Sequence, residues 1–336
     1  MKAMVLRQRA PIETSPLRAV EIEPPRPHPG EVRVKVRCCA LCRTDLHVVE
    51  GDLTGGKLPV IPGHQVVGVV DQLGDGCKQL KPGDRVGIAW LRHTCGTCRF
   101  CATGRENLCP CSKYTGYDAD GGYAEYATVP EDYAYPLPDG IGDIDASPLL
   151  CGGIIGYRAV KRANVQCGGT VALFGFGSSA HLVLQLLRGW GCAVYVVTRG
   201  QTHQQLAREL GAAWAGHDAA AMPAKVQSAI VFAPSGKVVL PALDCLDSGG
   251  TVSLAGIHMS PIPELDYDKS LYRERDIHPV TSNTRDDGRK WLADAVKLAI
   301  KPRVATYPLA DANGALNDLK SGRVDGTGVL VVHKGE

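Results

Sequence analysis

The amino-acid sequence predicts a two-domain α/β protein, with a β-sandwich or β-barrel first and a parallel, doubly wound sheet after it. Three observations predict this. A length of 336 residues corresponds to about two domains. Short β-like runs punctuated by Gly and Pro fill roughly the first 140 residues. After Pro148 the pattern changes to apolar strands alternating with helices.

The first pattern starts at Glu31–Val36, EVRVKV, which alternates polar and apolar with period two, as a half-buried strand does. Further β-like runs follow at 59–70, 81–90 and 121–130. The second pattern starts at Thr170–Phe174, TVALF, a short strand apolar on both faces. Ala180, Val183, Leu184 and Leu187 then recur at helical spacing, up to the break at Gly189 and Gly191. AVYVV (193–197), SAIVF (228–232) and TVSLA (251–255) repeat the strand theme. The last stretch holds an amphipathic helix at 291–300 and a strand at 328–332.

Composition narrows the function classes. Lys plus Arg is 37 and Asp plus Glu is 35, so the net charge of +2 gives no global field for nucleic acid. No apolar run approaches the ~18 residues of a membrane span. Met1–Ala10, MKAMVLRQRA, lacks the apolar core of a secretion signal, so a cytoplasmic protein is expected. Thirteen cysteines in such a chain point to metal binding rather than disulfides.

Three motifs carry chemistry. Gly175-Phe176-Gly177-Ser178-Ser179-Ala180 is a G-x-G-x-x-A loop between a strand and a helix. The first Gly permits the turn, the second lets a pyrophosphate approach, and Ala180 allows close packing. The helix N-terminus then offers amides to the phosphates. An ordinary glycine-containing strand-to-helix turn is the alternative. Cys95, Cys98, Cys101 and Cys109 can close a tetrahedron around one structural zinc ion. Two disulfides or unliganded thiols, or a zinc-ribbon module, are the alternatives; the reducing compartment disfavours the disulfides and the weakly basic flanks the ribbon. Two thiols and an imidazole, Cys42, His64 and Cys151, would bind zinc with a fourth position open, although spacing alone does not bring them together.

With Cys42-Arg43-Thr44-Asp45-Leu46-His47, Gly63-His64-Gln65, the four-cysteine segment, Leu150-Cys151-Gly152-Gly153 and the glycine loop in this order, the chain resembles the zinc-dependent alcohol dehydrogenases of the medium-chain dehydrogenase/reductase superfamily. The resemblance runs from Met1 to Val332. It implies a GroES-like β-barrel catalytic domain at 1–147 and 284–336, and a Rossmann domain at 148–283, with the site in the cleft between them. It implies two zinc ions per chain: a catalytic one on Cys42, His64 and Cys151, and a structural one on the four-cysteine set. Thr44 would hydrogen-bond the substrate hydroxyl, and His47 would end a proton relay running through the cofactor ribose. Arg43 would meet the cofactor pyrophosphate, and Asp45 would fix a ligand imidazole. Leu53 and Trp90 would line the substrate pocket, with Leu53 widening it for larger primary alcohols or aldehydes. A homo-oligomer, dimer or tetramer, and a small-molecule substrate are likewise implied.

Some positions depart from the family. Gln65 stands where a Glu is usual, Ile155 where many relatives have Thr, and Thr327 where many have a pyrophosphate-binding Arg. At the second strand's end, where NAD-specific sites carry an acid, this chain has Thr198-Arg199-Gly200. Arg199 can pair with a 2′-phosphate, and Thr198 can add a hydrogen bond, which favours NADP(H) over NAD(H). The alternative is an Arg199 that points to solvent or stacks on adenine. Two other functions compete with an alcohol dehydrogenase. One is a reductase of activated carbonyls in the same superfamily. The other is a non-catalytic zinc- and nucleotide-binding redox sensor.

Overall fold

Val32, Val34 and Val36, the apolar half of the alternating run, are fully buried in a ten-residue strand, Glu31–Ala40. Around it forms the first of two units in the computed structural model, which describes residues 1–333. This unit comprises Met1–Cys151, Ser282–Val296 and, from Lys301, the rest of the described residues. Glu31–Ala40 is the hub of its seven-stranded sheet. Val66–Leu73 pairs along one edge, while Tyr126–Pro130 and Thr327–Val331 share the other. Arg85–Ile88 and Ala134–Pro136 extend the sheet on one side, and Val304–Pro308 extends it on the other. The C-terminal strand thus belongs to the first sheet, with Leu330 opposite Cys39.

The apolar run at 59–70 becomes strand only from Val66. Pro59 and Pro62 lack amide donors, so the first half stays an extended loop, tied to Leu6 by hydrogen bonds of 2.8 and 3.0 Å at Val60. His64 sits at the loop's end. Gly63, just before it, has a φ of +97°, and a Cβ there would lie 2.4 Å from the Tyr123 ring and 2.9 Å from Cys39 Sγ. The position admits only glycine.

The second unit, Gly152–Thr281 with Lys297–Ile300, holds a six-stranded, wholly parallel sheet. Its spatial order is Trp214–Gly216, Ala193–Val197, Thr170–Phe174, Val226–Val231, Leu246–Leu254, Asp276–Pro279. Numbered along the chain that is 3-2-1-4-5-6, the dinucleotide-binding order. The glycine loop leaves the first of these strands beside the fourth, where the strand order reverses.

Two helices differ from the sequence reading. The helix expected at 291–300 spans Arg285–Lys297, because Thr284 and Asp287 form a reciprocal cap with bonds of 3.0 and 3.2 Å. A second helix, Ala312–Lys320, buries Ala312, Ala315 and Leu316 and was not anticipated. Among the described residues no helix is long and apolar enough to cross a membrane.

Gly63→Ala is expected to lower stability by about 2–4 kcal/mol, since it combines a left-handed backbone with overpacking. Urea unfolding checks this. An unchanged midpoint would mean that the His64 loop is not held by Tyr123.

Candidate active site and metal centres

The helix Arg43–Glu50 begins on an unusual cap. Cys42 is its N-cap, and the thiol accepts from Thr44 N at 3.4 Å while Cys42 N donates to Asp45 Oδ2 at 2.8 Å. The other Asp45 oxygen, Oδ1, lies 2.8 Å from His64 Nδ1. Asp45 and His64 are both about 1% exposed, so one buried carboxylate joins the helix start to the imidazole of the glycine-packed loop.

Cys151 arrives from a different element. Between the helices Asp143–Pro148 and Ile154–Arg162 the chain makes a π-turn, Leu149–Gly153, with Cys151 at its centre. The wider turn leaves backbone carbonyls needing partners. Trp291, fully buried, supplies one by donating its indole N–H to Leu149 O at 3.1 Å. Ser147, just before the turn, donates to Gln65 O at 2.6 Å and accepts from Ala40 N at 2.7 Å. The element before Cys151 is thereby fixed to the one following His64.

These elements bring the three donors together. The ligand atoms of Cys42, His64 and Cys151 all lie within 4.8 Å of one another, with the two sulfurs 3.7 Å apart. Zn–S bonds of about 2.3 Å imply a tetrahedral edge of about 3.8 Å. A disulfide requires ~2.05 Å, and every cysteine is free. His64 Nε2 is buried without a hydrogen-bond partner, while Nδ1 is taken by Asp45. An imidazole with one nitrogen on a carboxylate and the other unpartnered beside two thiols is the arrangement of a metal ligand. The donor set fits zinc, with three protein donors rather than four.

Charge follows the same geometry. A hydrogen bond from Cys151 holds the Cys42 thiol well below its usual range, and His64 adds to this against the effect of burial. Cys151 moves well upward, through that same bond and burial. Burial alone would lower His64, but Asp45, by charge and hydrogen bond, and Cys42 push it up to about 10.

The four-cysteine set is a separate cluster. Cys95, Cys98, Cys101 and Cys109 have their sulfurs within 4.8 Å of one another, two pairs of them at 3.5 Å. Backbone amides of Thr97 and Cys98, with the Cys109 thiol, lower Cys95 to about 6, whereas desolvation raises Cys101 to about 11. Cys111 is exposed and stands outside the set.

Around the first cluster, the Thr44 hydroxyl lies 3.6 Å from Cys42 Sγ, and His47 follows three residues on. Trp90 meets the His64 ring edge-on at 5.0 Å and stacks on Tyr114 at 4.8 Å. Leu53 packs partly buried against the core, and Arg43 is exposed. Gln65 is buried, and its amide donates to Ala40 O at 3.2 Å. A carboxylate cannot make that bond. In the second unit, Gly175 has a φ of +87°, and a Cβ there would lie 3.0 Å from Ala233 N. Gly177 is the N-cap of the helix Ser178–Gly189, and Phe176 and Ala180 are buried. Thr198 is buried and Arg199 exposed.

Comparison with known proteins decides the family. Residues 28–139 match the alcohol dehydrogenase GroES-like domain family, and residues 180–297 match the zinc-binding dehydrogenase family. The "Probable alcohol dehydrogenase AdhA" of Mycobacterium tuberculosis (strain CDC 1551 / Oshkosh) is 49% identical, over 99% of this chain and 97% of its own. The chain belongs to the zinc-type alcohol dehydrogenases of the medium-chain dehydrogenase/reductase superfamily. Its seven-stranded and six-stranded sheets are accordingly those of a GroES-like and a Rossmann domain. Solved structures agree with this alcohol dehydrogenase fold. An NAD-dependent alcohol dehydrogenase is 26% identical with a TM-score of 0.89, covering 99% of this chain and 100% of that one. The cobalt- and zinc-bound thermostable alcohol dehydrogenase of Pyrobaculum aerophilum is 27% identical with a TM-score of 0.89, covering 99% of each chain.

Two features of this alcohol dehydrogenase site escaped the sequence reading. One is the π-turn with Trp291, for which helical periodicity gives no signal. The other is Asp52, whose carboxylate lies 2.7 Å from His47 Nδ1. The Gly51-Asp52 pair closing a helix was the available clue.

Zinc-replete protein is expected to contain two zinc ions per chain by elemental analysis. Cys42→Ala should retain one ion and the fold, whereas Cys98→Ala should retain the other and lose thermal stability. One ion in the wild-type chain would eliminate one of the two clusters.

Proposed function

We propose that this chain is a zinc-dependent NAD(P)-linked alcohol dehydrogenase that interconverts larger primary alcohols and their aldehydes, with ketones as further substrates. The observation that carries the reading is the three-donor cluster of Cys42, His64 and Cys151, built around Asp45. A zinc ion held there supplies a Lewis acid, and a bound nicotinamide supplies or accepts the hydride. The four-cysteine cluster has no open position and serves structure.

The chain's own residues then have distinct tasks. Asp45 holds the His64 ring so that Nε2 faces the thiols. The Thr44 hydroxyl, beside Cys42 Sγ, would hydrogen-bond the substrate hydroxyl at the start of the proton relay, and His47 would end that relay by passing a proton to solvent. The half-exposed rim that carries His47 and Asp52 gives that proton an exit. Trp90 and Leu53 shape the apolar wall, and the absence of a bulky ring at position 53 admits larger substrates. Arg43, exposed at the start of its helix, can meet a pyrophosphate by charge. The Gly175–Gly177 turn lets a pyrophosphate approach the backbone. Expectations for the whole molecule follow the family: a cytoplasmic homo-oligomer, dimer or tetramer.

Cofactor choice rests on the second strand of the parallel sheet. Thr198 N donates to Gly216 O at 2.8 Å, which fixes the strand end. The next residue is an exposed Arg199 rather than an acid. This supports NADP(H) over NAD(H), because a guanidinium can pair with the 2′-phosphate in two hydrogen bonds.

The direct test is NADPH and NADH oxidation against an aldehyde panel, before and after chelation. Turnover is expected in the zinc-replete protein and should vanish on chelation and return with zinc. No turnover anywhere in the panel would favour a redox sensor. In the same assay kcat/KM should favour NADPH, and Arg199→Ala should cut that preference about tenfold or more, the scale of a lost charge-assisted pair. An unchanged ratio would remove Arg199 from cofactor selection.

A further inference from the structure

The helix Arg43–Glu50 closes on Gly51, whose φ of +93° is readily reached only without a Cβ. The reversal carries residue 52 back over the last turn. Gly51 N and Leu53 N both donate to His47 O, at 3.0 and 3.4 Å, and between them the Asp52 carboxylate reaches His47 Nδ1 at 2.7 Å. The turn is braced from outside the helix. The Arg9 guanidinium donates to Gly55 O, and its stem covers Gly51, where a Cβ would lie 3.1 Å from Arg9 Cδ. The Tyr117 hydroxyl donates to Thr54 O, its ring lies against Gly56, and Lys57 N donates to Tyr117 O at 2.9 Å. Asp52 is therefore placed by residues distant in sequence, not by a loose loop.

We infer that Asp52 is the positioning residue of His47. The inference rests on reading His47 as the member of the relay that meets solvent. The carboxylate accepts the Nδ1–H bond, so the neutral ring keeps its proton on Nδ1 and presents Nε2 as its basic atom. A proton arriving at Nε2 makes the ring an imidazolium, and the adjacent carboxylate offsets the new charge. The ring returns to neutral by giving that proton to water, so no bond to Asp52 is made or broken. The partial exposure of the two side chains, 20% for His47 and 53% for Asp52, lets water reach the pair. The same turn carries Leu53, so the brace that sets the relay also sets a wall residue of the substrate pocket.

The test compares Asp52→Ala, Asp52→Asn, His47→Ala and the double variant Asp52→Ala/His47→Ala in zinc-replete protein. Two quantities are read: kcat at neutral pH, and the ring-nitrogen NMR signals of labelled histidine, with His47→Ala identifying the resonance. Asp52→Ala is expected to lower kcat about tenfold, within the range of a general-base contribution. Asp52→Asn should lose less, because its amide oxygen still accepts from Nδ1. Asp52→Ala should cost nothing further in the His47→Ala background. The His47 signal should move from the Nδ1-protonated form toward the Nε2-protonated form in Asp52→Ala and stay in Asp52→Asn. An equal loss of kcat in both backgrounds, or an unchanged tautomer, overturns the inference. If His47→Ala alone leaves kcat intact, the relay reading fails instead. The tautomer then decides for or against Asp52 by itself.

Discussion

The site depends on the bidentate use of one buried carboxylate. Asp45 accepts from Cys42 N with one oxygen and holds His64 Nδ1 with the other. The first bond starts a helix at Cys42, and the second sets which imidazole nitrogen faces the two thiols. A buried charge used this way is costly unless both bonds are made, and breaking such a pair typically costs about 3–5 kcal/mol. Much of the surrounding structure keeps both partners in place. Gly63 lets the His64 loop pass under Tyr123, and the Cys42 end of the strand hub is clamped when Leu41 N donates to Gly328 O at 2.8 Å. The C-terminal strand is therefore part of the support for a site whose ligands lie far upstream.

The third donor reaches the cluster by a different device. A regular helix through 143–162 would follow one path for its whole length, whereas the π-turn at Leu149–Gly153 shifts the chain locally at Cys151. Ser147 ties the preceding turn to Ala40 and Gln65, and Trp291 satisfies the Leu149 carbonyl. Gln65 belongs to the same support. Its amide donates to Ala40 O, so it serves the backbone beside the cluster with a proton that a carboxylate lacks.

Several of these features were legible in the sequence. Periodicity located the first part of the Glu31–Ala40 strand, Glu31–Val36, and the parallel strands, and the glycine loop stands at the strand-order reversal. The two cysteine sets were legible for different reasons. Cys95 to Cys109 is a local pattern, whereas Cys42, His64 and Cys151 needed the family resemblance, since no spacing rule joins residues 109 positions apart. What stayed hidden depends on tertiary hydrogen bonds. Trp291 in an amphipathic helix looks like core, and its indole bond to a π-turn carbonyl leaves no periodic trace. The reciprocal cap of Thr284 and Asp287 was readable but overlooked, which displaced one helix start by six residues, from 291 to 285. Asp52 is an ordinary post-helix residue until the Gly51 turn folds it onto His47.

We propose that the three-donor cluster is an open metal site and the four-cysteine cluster a closed one. Cadmium-113 NMR of cadmium-substituted protein tests it most directly, because the shift reports the number of sulfurs and only an open site accepts an added ligand. Two resonances are expected, one typical of four sulfurs and one of two sulfurs with nitrogen. Only the second should move when imidazole is added. A single resonance, or two that both ignore imidazole, would contradict it.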